Sequence, residues 1–218
     1  MQLYYLNNTC LGKEAGYHLA AGGNNLLLGY QAGAAATPGG EIDSEDNVIV
    51  LGNNSISAAH IQVDWTVASD GRDKTDVEDF TAGLDFVNQM RPVTYRWDKR
   101  SWYVEDKADE YGIDQTTKED IAAVDTTGVS RDGSKKKDKL HLGFIAQEVQ
   151  ALEKQIGDSE VKEDGSADRD TELVLDTSAD GSFLGLKYPR LVPILVNAIQ
   201  ELSAKVEEQQ KEIEELKK

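Results

Sequence analysis

The most regular pattern of apolar and polar positions lies at the C-terminal end of the chain. From Pro189 or Arg190 to Lys218, apolar residues recur at alternating steps of three and four, which is the a/d pattern of a coiled coil. An apolar stripe on a polar helix needs a partner, so we expect association with copies of itself; the alternative is a surface helix lying on its own domain. The positions of this seam are Val192, Leu195, Ile199, Leu202, Val206, Gln209, Ile213 and Leu216.

The N-terminal segment carries a short repeat instead. Asn8–Gly16 and Asn25–Gly33 both follow the pattern N-x-x-L-G-x-x-A-G, and Asn47–Ser55 is a looser third copy. Short repeats are typical of stacked units, and the triplets Leu26–Leu28 and Val48–Val50 suit short strands between Gly and Asn corners. Three such units are too thin to bury a core alone, so we expect them to wind around copies of themselves. The alternative is a set of irregular hairpins at the edge of a globular domain.

Between these segments, strand-like alternation and helical spacing follow one another. We predict a strand over residues 56–68 and a helix from Val77 to Met90, with Thr75 or Asp76 as its N-cap and Pro92 beyond its end. Further strands are expected at Val93–Trp97, Leu140–Ile145, Leu173–Leu175 and Leu184–Tyr188, and a further helix at Ala146–Ile156. This order of elements predicts an α+β fold.

Two long charged segments, 99–139 and 157–182, have little periodicity and are interpreted as loops. The first contains the basic run Lys135–Lys139. Because the chain around it is acidic, we expect this run to be a solvated loop tip rather than a nucleic-acid patch.

Composition excludes several classes of partner. Lys and Arg number 23 against 40 Asp and Glu, for a formal net charge of −17, which opposes binding to nucleic acid or to an anionic membrane surface. The single cysteine, Cys10, excludes an intrachain disulfide, and we find no secretory signal and no transmembrane run. Folding in a reducing cytoplasm is expected. Three histidines and one cysteine without close spacing predict no metal site, and we expect no cofactor.

The composition changes at Ala68–Lys74, where the Gly/Asn-rich part meets the charged part. Ser69 precedes Lys74 by five residues. A serine hydroxyl needs a base to become a nucleophile, and a lysine serves when burial or a nearby cation lowers its pKa. On this spacing alone the two residues would be an ordinary turn serine and a solvated lysine.

The segment from about Trp65 onward resembles the C-terminal intramolecular chaperone domain of phage tailspikes, tail fibres and neck appendages, an auto-cleaving Ser/Lys peptidase family that includes the myelin regulatory factor. Four pieces in order carry this resemblance: Ser69-Asp70-x-Arg72-x-Lys74, Leu84–Trp97, His141–Val149, and Leu186-x-Tyr188 with the terminal heptads. The chain departs from the family in its longer loops and in Asp73, which replaces an apolar residue and could pair with Lys74 or Arg72. The N-terminal repeat resembles, less specifically, the triple-stranded β-repeats of phage fibres and trimeric adhesin heads.

The resemblance implies a homotrimer and a single-turnover cut in cis between Ala68 and Ser69. Ser69 would be the nucleophile and Lys74 its base, with Asp70 and Arg72 in supporting roles. The implied parts are a fibre end at 1–68, a chaperone domain at 69–188 and a coiled-coil helix at 189–218. The fibre would continue upstream, work in the virion tail and have a host-surface receptor as a candidate partner, while the chaperone part would be released.

Two alternatives remain open from the sequence. The first is an uncleaved structural or receptor-binding trimeric tip with an inactive dyad. The second is a glycan hydrolase in the N-terminal part, which the few carboxylates there, Glu14, Glu41, Asp43, Glu45 and Asp46, do not favour.

Overall fold

The structure is a computed structural model that describes residues 7–34, 37, 39–104, 128–156, 171–178 and 183–218. Its described part mixes helices and short strands, consistent with the predicted α+β class. The helices are α1 (Leu84–Gln89), α2 (Ala146–Glu153) and α3 (Leu191–Leu216). The strands are β1 (Thr9–Leu11), β2 (Leu26–Leu28), β3 (Ile49–Leu51), β4 (Val93–Tyr95), β5 (His141–Gly143), β6 (Leu175–Thr177) and β7 (Leu184–Leu186). The two predicted loops lie partly outside the described residues.

The chain forms two compact units. The first unit comprises Met1–Ser55 with Arg91–Lys187, and the second comprises Ile56–Met90 with Tyr188–Lys218. These units reflect contacts within one chain, whereas the predicted division at residues 68 and 188 concerns a cut and the start of a coiled coil. That division stays a prediction.

The first unit begins with a parallel sheet in the order β1-β2-β3, one strand from each of the three sequence-similar segments. Hairpin strands pair antiparallel, so these three strands do not form hairpins. Asparagine side chains link neighbouring segments: Asn8 Oδ1 accepts from the Asn25 amide at 2.9 Å, and Asn25 Oδ1 accepts from the Val48 amide at 2.8 Å. The repeated asparagine therefore joins the segments across the sheet.

The glycine that follows each strand permits close approach of the backbones. Gly12 and Gly29 have φ values of +132° and +111°, and a Cβ on Gly12 would lie 2.5 Å from the Gly29 carbonyl oxygen. A Cβ on Gly29 would lie 3.1 Å from the Cα of Gly52. Only glycine fits this stack without moving the strands.

The sheet buries one of its faces and leaves the other in water. Leu27 and Val50 point into a small core with Ala32 and Ile42. On the other face Leu11, Ile49 and Leu51 are exposed, with Leu11 71% accessible. A single chain therefore leaves a row of large apolar side chains uncovered.

The rest of the first unit follows the predicted order of elements. Strands β4 and β5 pair antiparallel, as do β6 and β7, and α2 packs against β6 and β7. The strands predicted at 93–97, 140–145 and 184–188 are confirmed over three residues each, and the helix predicted at Ala146–Ile156 is confirmed with an earlier end. The strand predicted at Leu173–Leu175 begins at Leu175 instead.

The basic run lies outside helices and strands and is exposed apart from the half-buried Lys135, as its sequence predicts. The Nζ atoms of Lys135 and Lys137 lie 5.7 Å and 4.7 Å from the ring centroids of Tyr103 and Trp102. Tyr103 is itself buried with Val129 in a second small core. Cation–π attraction thus holds two of these lysines on an aromatic surface, which composition alone does not reveal.

In the second unit, two predicted elements are wrong. Residues 56–83, all described, contain no strand, because the alternating residues 56–68 pair with no strand in the described part of the chain. The helix predicted from Val77 begins only at Leu84, so neither Thr75 nor Asp76 is its N-cap. Three of the alternating residues, Val63, Trp65 and Val67, are each more than 70% exposed, with values of 72%, 72% and 81%.

The long helix α3 confirms the predicted C-terminal helix. Its first turns pack against α1 and bury Leu191, Ile194 and Ala198, while Phe86 is buried on α1. Residues 202–218 are exposed on every side. Within the described residues, no helix has both the length and the apolar character needed to cross a bilayer.

Glu153 is a buried carboxylate at the end of α2. Its Oε1 accepts hydrogen bonds from the backbone amides of Val174 and Leu175, whereas Oε2 has no hydrogen-bond partner among the described residues. Burial is the largest effect and raises the pKa of Glu153, and the negative charge of Glu172 raises it further. The two backbone amides and the positive charge of Lys187 lower this pKa, but by less. Ionisation of this side chain therefore works against the folded state.

We predict that Glu153→Gln stabilises the protein near neutral pH. The unfolded carboxyl ionises near 4.5, while the folded one binds its proton to higher pH, so the wild type loses stability as pH rises from 4.5 through the folded pKa. The neutral glutamine side chain still accepts the hydrogen bonds that Oε1 accepts. Because it does not ionise, it removes the loss of stability at higher pH. Thermal unfolding midpoints measured across that range test it, with the exposed Glu207→Gln as control. Parallel pH profiles for Glu153→Gln and the wild type would contradict the prediction.

Candidate active site

A short turn brings the predicted Ser/Lys pair together. Residues Gly71–Asp73 form a single 3-10 turn, and Asp70 caps its start. The backbone amide of Asp73 donates to the Asp70 carbonyl at 3.1 Å, and that of Lys74 donates to the Gly71 carbonyl at 3.4 Å. This turn reverses the chain, so that side chains five positions apart in sequence meet.

Asp70 and Arg72 stabilise this turn. One carboxylate oxygen of Asp70, Oδ1, accepts from the Arg72 backbone amide at 3.0 Å, and both oxygens accept from the guanidinium, the shortest contact being 2.5 Å. These hydrogen bonds lower the pKa of Asp70, and the carboxylate raises the pKa of Arg72. The guanidinium thus binds Asp70, and the supporting role that the resemblance implies for both residues stays a prediction.

The contact at the centre of the site joins Lys74 to Ser69. The Nζ atom of Lys74 donates a hydrogen bond to Ser69 Oγ at 2.8 Å. This is the distance at which a lysine amine can take the proton of a serine hydroxyl. A lysine acts as a base toward a serine hydroxyl only as the neutral amine.

Both members of the pair face water in a single chain. Ser69, Lys74 and the preceding Ala68 are all exposed. Solvation favours the charged form of a lysine, whereas burial favours the neutral amine. Within the described residues, the chain thus brings the two side chains within hydrogen-bonding distance but leaves both exposed to water.

Asp73 does not take part in this pairing. All of the residues around the turn are described, and Asp73 makes no ion pair with Lys74 or Arg72. The suggestion from the sequence that Asp73 pairs with one of them is wrong for this structure, because the guanidinium is already held by Asp70.

The segment that follows the turn is anchored on α3. Asn197 donates from Nδ2 to the carbonyl of Phe80 at 2.5 Å, and Glu201 accepts from the Leu84 amide at 3.1 Å. Gly83 lies so close that a Cβ there would come within 2.2 Å of a Glu201 oxygen. Sequence analysis missed these residues, because Asn197 and Glu201 lie between seam positions on the helix and their partners are backbone groups.

The predicted seam of α3 lies in water along its whole length. Its exposed fractions include 63% at Ile199, 51% at Leu202 and 55% at Val206. The remaining members are exposed as well: Val192, Leu195, Gln209, Ile213 and Leu216. The seam runs one residue out of phase with the buried Leu191, Ile194 and Ala198, so one helix carries two distinct apolar stripes.

His141 belongs to the first compact unit, whereas the Ser69–Lys74 turn belongs to the second. It stacks on Tyr95 at 5.4 Å between ring centroids in the β4–β5 pair. In the part of the chain that the structure describes, no group of three or more His, Cys, Asp or Glu residues could hold a metal ion.

We predict that Gly83→Ala destabilises the second unit. The new methyl group would overlap Glu201 and approach the Ala198 amide, so the anchored segment must move away from α3. Overpacking of this kind costs about 1–3 kcal/mol. Urea unfolding at fixed protein concentration measures the loss, and Gly128→Ala, which meets no atom within 4 Å, is the matched control. Equal midpoints for the two variants would contradict the prediction.

Comparison with known proteins adds an independent observation. A family model described as chaperone of endosialidase, in the S74 peptidase class, matches residues 69–113. No curated protein matches the chain. The match starts at Ser69, the residue whose hydroxyl Lys74 contacts, and it supports a relationship of this segment to that chaperone family.

Proposed function

We propose that this chain is the C-terminal intramolecular chaperone of a phage tail fibre or tailspike. It forms a homotrimer, brings the β-structured fibre end into register, and then cuts itself between Ala68 and Ser69. The observation that carries the proposal is the 2.8 Å contact from Lys74 to Ser69 at the first residue of the family match. The match by itself supports only a chaperone role, and the cut is inferred from the geometry.

The proposed cut needs no group beyond the chain and one water. The Lys74 amine takes the proton of Ser69 Oγ, and the oxygen attacks the carbonyl carbon of Ala68. The peptide C–N bond breaks, the Ser69 nitrogen gains a proton, and Ala68 becomes an ester on Oγ. Water then hydrolyses the ester, which leaves a carboxylate at Ala68 and restores the serine hydroxyl. Because nucleophile and scissile bond belong to neighbouring residues, no substrate pocket is required.

Exposure of the pair supports a requirement for assembly before the cut. Burial of a lysine favours the neutral amine that the reaction uses. Neighbouring copies in a trimer would supply that cover. Chain cutting would then follow correct assembly rather than precede it.

Three exposed apolar surfaces support self-association. They are the seam of α3, the outer face of the β1–β3 sheet, and the alternating side chains of residues 61–67. Burial of apolar surface contributes roughly 25 cal/mol per Å². Contiguous exposed apolar patches on one chain are typical of interfaces. Three copies, rather than two, is an inference from the resemblance to trimeric fibre chaperones.

The proposal assigns the two products to different places. Residues up to 68 would remain as the end of a fibre in the virion tail, continuing from upstream fibre and serving a host-surface receptor. Residues from 69 onward would fold with it in the host cytoplasm and leave after the cut. The acidic charge of −17 fits partners other than nucleic acid or a membrane.

A second candidate is an uncleaved trimeric tip with a silent dyad. The exposure of Ser69 and Lys74, and the charged Asp73 beside them, favour it. In that case the same surfaces would assemble, and the chain would stay whole.

We predict that the purified wild type yields fragments of 68 and 150 residues on a denaturing gel. Ser69→Ala removes the nucleophile and Lys74→Met removes the base, so each should leave only the intact band. Ser130→Ala and Lys139→Met are exposed matched controls that should cleave like the wild type. An intact wild-type band would exclude autocleavage and favour the silent tip.

We predict that Ile199→Asp or Val206→Asp prevents assembly. Each puts a carboxylate on the apolar stripe of α3, where a packed seam would have to bury its charge at a cost of several kcal/mol. Gln200→Asp adds the same group one residue away and should leave the trimer intact. Native mass measures the copy number, and a monomeric wild type would contradict the chaperone reading, whatever the gel shows.

A further inference from the structure

One contact joins a residue before the proposed cut to a residue after it, and the residues next to the cut take no part in it. Asn54 lies in the turn after β3, on the fibre side of Ala68. The Nζ atom of Lys99, on the chaperone side, donates to both the backbone carbonyl and the Oδ1 of Asn54, each at 3.0 Å. Both residues belong to the first compact unit, whereas the scissile bond lies in the second.

The ammonium of Lys99 is held in an aromatic setting. Its Nζ lies 5.1 Å from the ring centroid of Trp97 and 5.8 Å from that of Trp102. The side chain is half-buried, and this burial lowers the pKa of Lys99. A cation between two indole rings, with two oxygen acceptors from Asn54, is a specific contact rather than a solvated lysine.

The segment that presents Lys99 is fixed from the chaperone side alone. Tyr103 donates to Asp98 Oδ1 at 2.6 Å, and Arg131 donates to the Asp98 carbonyl at 2.9 Å. The Lys137 amide donates to the Trp97 carbonyl at 2.9 Å. Because these bonds lie wholly beyond residue 69, the cut leaves the Lys99 site formed and ready to bind.

We infer that the cut chaperone fragment stays bound to the fibre end through the contact of Lys99 with Asn54, so that cutting and release are separate steps. This inference rests on the proposed cleavage. Once the peptide bond is gone, each contact alone becomes an ordinary bimolecular interaction. In a trimer three such contacts act together, and their combined hold greatly exceeds that of one. The bound partner is the fragment 1–68 of the same chain.

The test compares fragments before and after denaturation. The cut wild type is run on gel filtration in native buffer, and each fraction is then run on a denaturing gel. We expect both fragments in one peak. In Lys99→Met, which keeps the apolar stem and loses the donors, they should separate, because loss of a charged donor weakens each contact roughly tenfold or more. Lys139→Met, an exposed lysine of the same segment, should behave as the wild type.

A second variant, with the opposite expected effect, distinguishes loss of the contact from misfolding of Lys99→Met. Asn54→Asp gives the ammonium a carboxylate partner, and its fragments should stay together at dilutions that separate those of the wild type. Circular dichroism checks that both variants keep the wild-type fold. Separation of the wild-type fragments in native buffer, or joint elution of the Lys99→Met fragments as in the wild type, would overturn the inference.

Failure of cleavage would be distinguishable from failure of retention. A Ser69→Ala chain with a site for a sequence-specific protease inserted between residues 68 and 69 can be cut whether or not the dyad is active. If the wild type stays whole, the proposed self-cleavage fails. The inserted-site chain, with and without Lys99→Met, still decides whether the two parts hold together.

Discussion

The helix α3 carries more apolar surface than the described residues cover. Leu191, Ile194 and Ala198 pack on α1, and within the described part of the chain no further element covers the neighbouring stripe. Beyond residue 201 the helix is exposed on all sides. A helix left in this state is stable when other copies bury the stripe, because most helical stability in proteins comes from packing of an apolar face. Every other part of the proposed function depends on that assembly.

The same helix also holds the segment that follows the Ser69–Lys74 turn. Asn197 and Glu201 anchor residues 80–84, which follow the Ser69–Lys74 turn along the chain. The turn itself is local, since Asp70 and Arg72 stabilise it without outside help. One chain can therefore form the geometry of the dyad, while its surroundings remain open to water. One chain forms the geometry but leaves it in water, which is a physical reason for the proposed reaction to follow assembly with neighbouring copies.

The N-terminal sheet also leaves apolar side chains exposed in a single chain. Its strands are three residues long and bury one face in a small core. The stacked glycines bring the strands close together, and Leu11, Ile49 and Leu51 then face outward. The stability of such a sheet therefore depends on what covers its outer face. The Lys99–Asn54 contact connects it to the chaperone side within the same unit, independently of residues 56–90.

The sequence alone determined the features that depend on neighbours along the chain. The heptads from Val192 to Leu216 predicted the long helix, and the glycines after Leu11 and Leu28 marked strand ends. The spacing from Ser69 to Lys74 alone predicted an ordinary turn serine and a solvated lysine, and the resemblance marked the two residues as a dyad. In the structure one turn brings their side chains together. Only the tertiary structure decided what depends on distant partners. Residues 56–68 have strand periodicity but pair with no strand among the described residues. Residues 77–83 were predicted to begin a helix but form neither helix nor strand, and Asn197 of α3 binds the Phe80 and Ala82 carbonyls instead. Lys99 looked like any loop lysine until folding brought Trp97, Trp102 and Asn54 around its ammonium, since a pattern records periodicity but not which distant groups will meet.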